Sequence, residues 1–387
     1  MRVVINAMAV TEWRTGVGHY TVELIDALRR TKQVRVNVYP HPIMAKLRLQ
    51  LGGGPRAATP SINGNAPRRS LLKRTARTPF RWGWRALVET ELRHSFHPKR
   101  VDIYHEPNFF PLESRVPTVV TVHDLSAVLH PEWHPTDRAK QFADEFLPRI
   151  RQFAHIMTDS DAARDEIVRT LNVPHERVTR AYPGIRKSLR PMSPADIEPI
   201  RRKLGLPSKY FLHVGTLEPR KNLLMLLRAY TALPASLRES CPLILAGPWG
   251  WRFEELAEFY ESHAKHHHVR HLGYVDEAHL PALYNGARAL VFPTFYEGFG
   301  LPAAEMLACG GAVIASATPA VAEVLGGCGT LIDPADTDGW RQAMARAIAD
   351  DEWLQSLRLG GMRRAAEFTW ANCARDTLAG YRAAFDS

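Results

Sequence analysis

The stretch from Val291 to Ser316, VFPTFYEGFGLPAAEMLACGGAVIAS, constrains the fold more than any other part of the chain. Just before it and into it, Ala289 to Phe292 is a short apolar run that Pro293 stops, which fits a buried strand in length and composition. A glycine-rich turn follows, Glu297-Gly298-Phe299-Gly300. Pro302 can open the next helix, because a first-turn position needs no amide donor. Ala303, Ala304, Met306, Leu307 and Ala308 favour that helix, and Gly310-Gly311 closes it. Ala312 to Ala315 then reads as a second strand. Such a helix turns its unpaired N–H groups and positive dipole end toward the glycine turn, a ready site for phosphate. Glu297 and Glu305 flank that site, eight positions apart. A plain βαβ unit with solvated glutamates would have the same element order. The joint spacing of glycines, aromatics and both acids favours a ligand site.

The rest of the chain repeats the pattern of apolar strand followed by helix. At 387 residues it is long enough for two or three domains, each with its own core. No run of 18 apolar residues occurs, so no spanning helix is expected. The opening MRVVINAM reads as a strand and not as a signal peptide. Cys241, Cys309, Cys328 and Cys373 are widely spaced, which predicts reduced core cysteines and not a zinc or disulfide framework.

In chain order, Arg2 to Asn6 is the first strand, and a loop carrying Gly16 and Gly18 leads to a helix over Tyr20 to Arg30. Those glycines permit close backbone approach to a ligand. Asp102 to His105 is a strand running into His-Glu-Pro-Asn-Phe-Phe-Pro. Pro117 to His123 is a β-rich run ending in His123-Asp124, a polar pair where parallel sheets bind ligands. Asp159-Ser160-Asp161 spells DxD, a pattern known from metal sites; here it fits a strand end followed by a helix N-cap. Pro191 to Pro199, rich in Pro, Ser and Asp, reads as a linker. Tyr210 to Val214 opens the second half, and Arg220 and Lys221 follow it beside a helix start near Asn222. Cations are disfavoured there by the dipole, which argues for an anionic ligand such as a diphosphate. His263, His266, His267, His268 and His271 read as solvated surface, because a consecutive triplet on a helix cannot converge on one ion. Two helices are expected at the C-terminal end.

The E-x7-E spacing within FYEGFGLPAAE resembles the signature of family 4 glycosyltransferases, retaining enzymes of the GT-B fold. VGTLEPRKN, THDL-like VTVHDL and Phe368-Thr369-Trp370 extend the resemblance over nearly the whole chain. It implies an α/β protein of two Rossmann-like domains, each with a parallel sheet, facing each other across a cleft. Residues 1–190, with a tail from about 370 to 387, would form the acceptor domain, and 191–369 the nucleotide-sugar domain. By the same resemblance Gly16 and Gly18 reach the donor phosphates, and His123 touches the donor sugar. Arg220 and Lys221 meet the diphosphate together with the amides of Gly298, Phe299, Gly300 and Leu301. Glu297 orients the sugar, Glu305 takes the ribose, and the backbone near Val275 lies by the base. The sequence departs from many members at Thr216, where they carry Arg. No metal and no cofactor besides the nucleotide-sugar substrate is implied. The wording is nearest to bacterial polysaccharide enzymes, which implies mannose from GDP-mannose and a lipid-linked or saccharide acceptor. A sugar-nucleotide epimerase is the rival reaction.

Charge adds a separate expectation. Residues 41–100 carry thirteen Lys or Arg against Glu89 and Glu91, so this segment exceeds the net +10 of the whole chain. Phe80, Trp82 and Trp84 lie within it. Cations beside aromatics suit an anionic membrane surface, which predicts a cytoplasmic protein held peripherally at the inner membrane through residues 46–100. Nucleic acid is the alternative partner for such a segment, and a solvated basic loop is the plainest reading.

Overall fold

A computed structural model describes residues 1–10, 16–40 and 96–386. Most of the basic segment therefore lies outside the described residues. The chain divides into two compact units. The first comprises Met1–Val122, Arg151–Met157 and Thr377–Ser387; the second comprises His123–Ile150 and Thr158–Asp376.

Among the described residues, two six-stranded sheets carry the fold. The first is built from β1 (Arg2–Asn6), β2 (Arg35–Tyr39), β3 (Ile103–Glu106), β4 (Thr118–Thr121), β5 (His155–Thr158) and β6 (Val178–Arg180), in the order β2-β1-β3-β4-β5-β6. The second holds β7 (Phe211–Val214), β8 (Leu243–Ala246), β9 (Val269–His271), β10 (Ala289–Phe292), β11 (Val313–Ser316) and β12 (Thr330–Ile332), in the order β12-β11-β10-β7-β8-β9. Pairing is parallel, with Leu290 opposite Leu212 and Val313 in the second sheet and Val3 opposite Val36 and Ile103 in the first. Strands such as β8 and β10 are buried at every position, as parallel strands covered on both faces must be. Two apolar clusters fill the second unit on either side of its sheet, one around Leu212, Phe292, Met306 and Phe368, the other around Phe211, Leu243, Ile314 and Trp340.

Several expectations need correction. Gly16 and Gly18 do not lie in a loop; the helix already starts at Gly16 and runs to Thr31. Glycine loses more backbone freedom in a helix than other residues do, so the helix forms here against the propensity of both glycines. Residues 194–199 are not linker but part of a helix, Pro194–Lys203. Ser193 caps it by accepting from the Asp196 amide, and Pro194 occupies the first turn. The end of the chain holds four helices, Thr337–Ala349, Asp351–Arg358, Gly361–Ala365 and Trp370–Asp386, in place of two. The last of these carries Tyr381, whose hydroxyl lies 2.7 Å from Nδ1 of His105 in the first unit. Among the described residues no helix is long and apolar enough to cross a membrane. The four cysteines are free, three of them buried.

Candidate active site

In an open parallel sheet the ligand crevice lies beyond the carboxyl ends of the strands where the strand order reverses. In the second sheet that point falls between β7 and β10, which are neighbours although two strands intervene in sequence. The segments leaving them are Gly215 to Lys221 and Pro293 to Gly300. Topology alone thus brings Arg220, Lys221 and Glu297 together.

Their side chains interlock. The Glu297 carboxylate accepts from Lys221 Nζ at 2.5 Å, from an Arg220 nitrogen at 2.8 Å and from the Thr294 hydroxyl at 3.0 Å. Arg220 also donates to Glu218 at 2.9 Å and to the Tyr296 carbonyl at 3.0 Å. Lys221 and Glu297 are each only 9% exposed. Burial alone would push the Glu297 carboxyl up; Arg220 and Lys221 overcome it and hold the group below the ordinary carboxylate value. Burial acts against the Arg220 charge, and Glu297, Glu218 and Asp124 outweigh it. Burial also pushes His213, on β7, down to about 4.

The cations keep donor capacity beyond these bonds. An ammonium has three N–H groups and a guanidinium five. Lys221 Nζ makes one hydrogen bond to a protein acceptor, and Arg220 Nε is buried with no partner among the described residues. A buried donor without an acceptor is costly, and an anion is the group that would satisfy it.

The glycine turn supplies more donors. The amides of Gly298, Phe299, Gly300 and Leu301 meet no acceptor among the described residues, at the start of the Leu301–Ala308 helix with Pro302 in its first turn. Two glycines are obligatory. A Cβ on Gly298 would stand 1.7 Å from the His123 carbonyl oxygen, and Gly300 has φ 103°, a conformation that L side chains rarely adopt.

His123 follows β4 and reaches the same turn through that backbone approach. Its Nδ1 lies 2.7 Å from Asp159 Oδ2. The DxD residues thus have separate work: Asp159 bonds His123, Ser160 caps the Asp161–Leu171 helix through the Ala163 amide, and Asp161 pairs with Arg164. Among the described residues no cluster of three His, Cys, Asp or Glu could hold a metal ion. The histidines after residue 262 divide. His266 and His268 are exposed, whereas His271 is half-buried and bonds the Gly247 carbonyl at 2.7 Å.

Glu305 lies on the Leu301–Ala308 helix, 4% exposed. One oxygen accepts from Arg186 at 2.9 Å and the other from the Tyr284 hydroxyl at 2.7 Å. Val275 is buried beyond β9. All these residues belong to the second unit; Gly16, exposed, and Gly18, buried, belong to the first. Sequence reasoning missed Glu218, Thr294, Asp159 and Arg186: Asp159 and Arg186 act through partners 36 and 119 residues away, while Glu218 and Thr294 bond Arg220 and Glu297 only two and three residues on, in a pattern that no motif marks. Only the DxD pattern had drawn notice to Asp159, and for another reason.

Two family models match the chain. "Glycosyltransferase Family 4" covers residues 14–189 and "Glycosyl transferases group 1" covers 196–361. The O-antigen chain mannosyltransferase B of Escherichia coli is 33% identical over 95% of this chain and 96% of that protein. The serotype-specific mannosyltransferase WbdA of Escherichia coli is 30% identical over 68% of this chain, a match that takes in 33% of WbdA. Among solved structures, Anabaena HepE with UDP and glucose superposes with a TM-score of 0.70 at 16% identity, over 98% of each chain. WaaG, a glycosyltransferase involved in lipopolysaccharide biosynthesis, gives 0.66 at 16% identity over 97% of this chain and 99% of its own. These structural likenesses carry the fold, two Rossmann-like parallel sheets of the GT-B class. Paired with an end-to-end relationship at 33% identity, they make the conclusion plain: the chain belongs to glycosyltransferase family 4.

Proposed function

We propose that the chain transfers mannose from GDP-mannose, with retention at the sugar carbon, to a saccharide acceptor on a lipid carrier in surface-polysaccharide synthesis. The observation that carries the donor site is the meeting of Arg220, Lys221 and four turn amides without an acceptor among the described residues, at the switch point of the second sheet. In this reading the diphosphate lies on the amides of Gly298 to Leu301 and takes up the spare donors of Lys221 and Arg220. Preorganised donors aimed at the developing charge of a leaving group are usually the largest single catalytic contribution. Glu297, fixed by two cations and Thr294, orients sugar hydroxyls and keeps the cations in place. His123 lies beside the sugar. Glu305 binds the ribose with the lone pairs that Arg186 and Tyr284 leave over, since each carboxylate oxygen accepts more than one hydrogen bond. Val275 lines the base, and Gly16 and Gly18 approach the phosphates. Mannose is supported by the names of the relatives, an O-antigen chain mannosyltransferase above all.

The reaction needs no metal in this reading, and the basic segment holds the enzyme at an anionic membrane face. The test incubates the protein with GDP-mannose, UDP-glucose or dTDP-glucose and a short mannoside primer, with and without EDTA. The expected result is primer extended by mannose with an α-linkage from the α-linked donor, EDTA having no effect. Isomerised donor in the absence of primer would replace this reading with an epimerase, and transfer from UDP-glucose alone would replace the donor.

A further inference from the structure

Asp159 and Ser160 stand where β5 ends and the Asp161–Leu171 helix begins. Neither is needed there as a pair. Ser160 alone caps the helix, accepting from the Ala163 amide at 3.0 Å. Glu323 supports the same end, accepting from the Asp161 amide at 2.7 Å and the Ala162 amide at 2.8 Å. Asp159 takes no part in this. It is buried, its Oδ2 lies 2.7 Å from His123 Nδ1, and its Oδ1 is buried with no hydrogen-bond partner among the described residues. A carboxylate with one oxygen unsatisfied inside a fold is a cost to stability. Something other than stability accounts for it.

A carboxylate beside one imidazole nitrogen decides where the ring's proton sits. Asp159 is acceptor-only when ionised, so Nδ1 carries the proton and the ring plane is fixed. The neighbouring Ser160 hydroxyl donates to the Gly298 carbonyl at 2.6 Å. Gly298 in turn packs against the His123 carbonyl so closely that only glycine fits. Two consecutive residues therefore hold two parts of the site: one the histidine ring, the other the glycine turn.

We propose that Asp159 is a positioning residue for sugar transfer, holding the His123 ring in its Nδ1-protonated form against the glycine turn that Ser160 anchors. The inference rests on the reading of His123 as lying beside the donor sugar. Within that reading, Asp159 acts through His123 and does not touch the donor.

The test uses the whole protein labelled with 15N-histidine, with the His123 signals assigned by their loss in His123→Asn. Without any substrate, Nδ1 of His123 should be the protonated nitrogen in the wild type and should lose that proton in Asp159→Ala. Turnover in Asp159→Ala should fall by about tenfold to a hundredfold, as expected when a charge-assisted hydrogen bond is removed, while affinity for GDP, which carries no sugar for His123 to meet, stays within about twofold. Asp159→Asn keeps an acceptor oxygen without the charge and should give an intermediate turnover with the Nδ1 proton retained; it also serves if the alanine variant fails to fold. An unchanged His123 ring in Asp159→Ala would overturn the proposal. So would a changed ring with wild-type turnover. A wild-type protein that transfers no sugar would overturn the reading of the site itself, and the ring spectrum would still decide whether Asp159 holds His123.

Discussion

Each sheet carries a buried glutamate at the point where its strand order reverses, and the two are built in opposite ways. In the first sheet β1 and β3 are neighbours. Glu106 ends β3, and its carboxylate accepts from Asn6 at 2.5 Å, from the Tyr104 hydroxyl at 2.8 Å and from the Asn108 amide at 3.1 Å. All three donors are neutral, and burial pushes the carboxyl up to about 7 against them. In the second sheet Glu297 is set between two cations and held below its ordinary value. Similar burial with different neighbours gives one carboxyl that shares its proton near neutrality and one that is firmly ionised. Neutral donors close the first switch point upon itself, with every oxygen of Glu106 satisfied. At the second, cations with unused donors remain, and that is what an anionic substrate requires.

Removing the charge that the second site depends on should have the largest effect. Glu297→Ala leaves Arg220 and Lys221 buried without their shared partner, and breaking a buried ion pair costs about 3–5 kcal/mol. Chemical denaturation should register that loss, and turnover should fall with it. Glu297→Gln, which keeps the shape, should melt closer to the wild type yet still lose turnover. A Glu297→Ala protein as stable as the wild type would break the comparison, because the cations would then not need the carboxylate.

Glu106 tests the other half. Its folded value lies above the ordinary carboxyl value of 4.5, so between about 4.5 and 7 the folded state holds more protons than the unfolded one. Stability contributed by this group is then fully present below 4.5 and declines as pH rises toward 7. Glu106→Gln removes the penalty. It should raise stability by roughly 1–3 kcal/mol at pH 8 and change little at pH 4.5, as read from denaturation midpoints at the two pH values. Equal effects at both would show that Glu106 is ionised throughout.

Glycines give a smaller contrast. Gly298→Ala must displace the His123 carbonyl, an overpacking cost of about 1–3 kcal/mol. A Cβ on Gly16 meets nothing within 4 Å among the described residues, and Gly16 lies in a helix, so Gly16→Ala should stabilise by about 0.4–1 kcal/mol. Thermal melting of both variants sharpens the difference between a glycine required by close approach and one that is not. A wild-type melting point for Gly298→Ala would contradict the packing at the turn.

The parts of this site that were legible in the sequence are those made by neighbours in the chain. The strand, turn and helix around Glu297 follow from apolar runs, glycines and Pro302, all within a few residues of one another. The bond between Arg220 and Glu297 joins residues 77 apart, and that between His123 and Asp159 joins residues 36 apart; no local pattern announces either. Pro194 misled for a related reason. Proline and serine are common in linkers, yet Ser193-Pro194 is also a helix cap followed by a first-turn proline, and the structure uses it so. Asp159 drew notice as half of a metal motif, while its partner is a histidine on the preceding strand's end.

The central claim is that the two cations beside Glu297 hold a nucleoside diphosphate. Calorimetric titration of GDP into the wild type and into Lys221→Ala tests it directly. A charge-assisted hydrogen bond is worth about 1.5–3 kcal/mol, so the account predicts GDP affinity about tenfold to a hundredfold weaker in Lys221→Ala, with the fold retained. Equal affinity in the two folded proteins would contradict it.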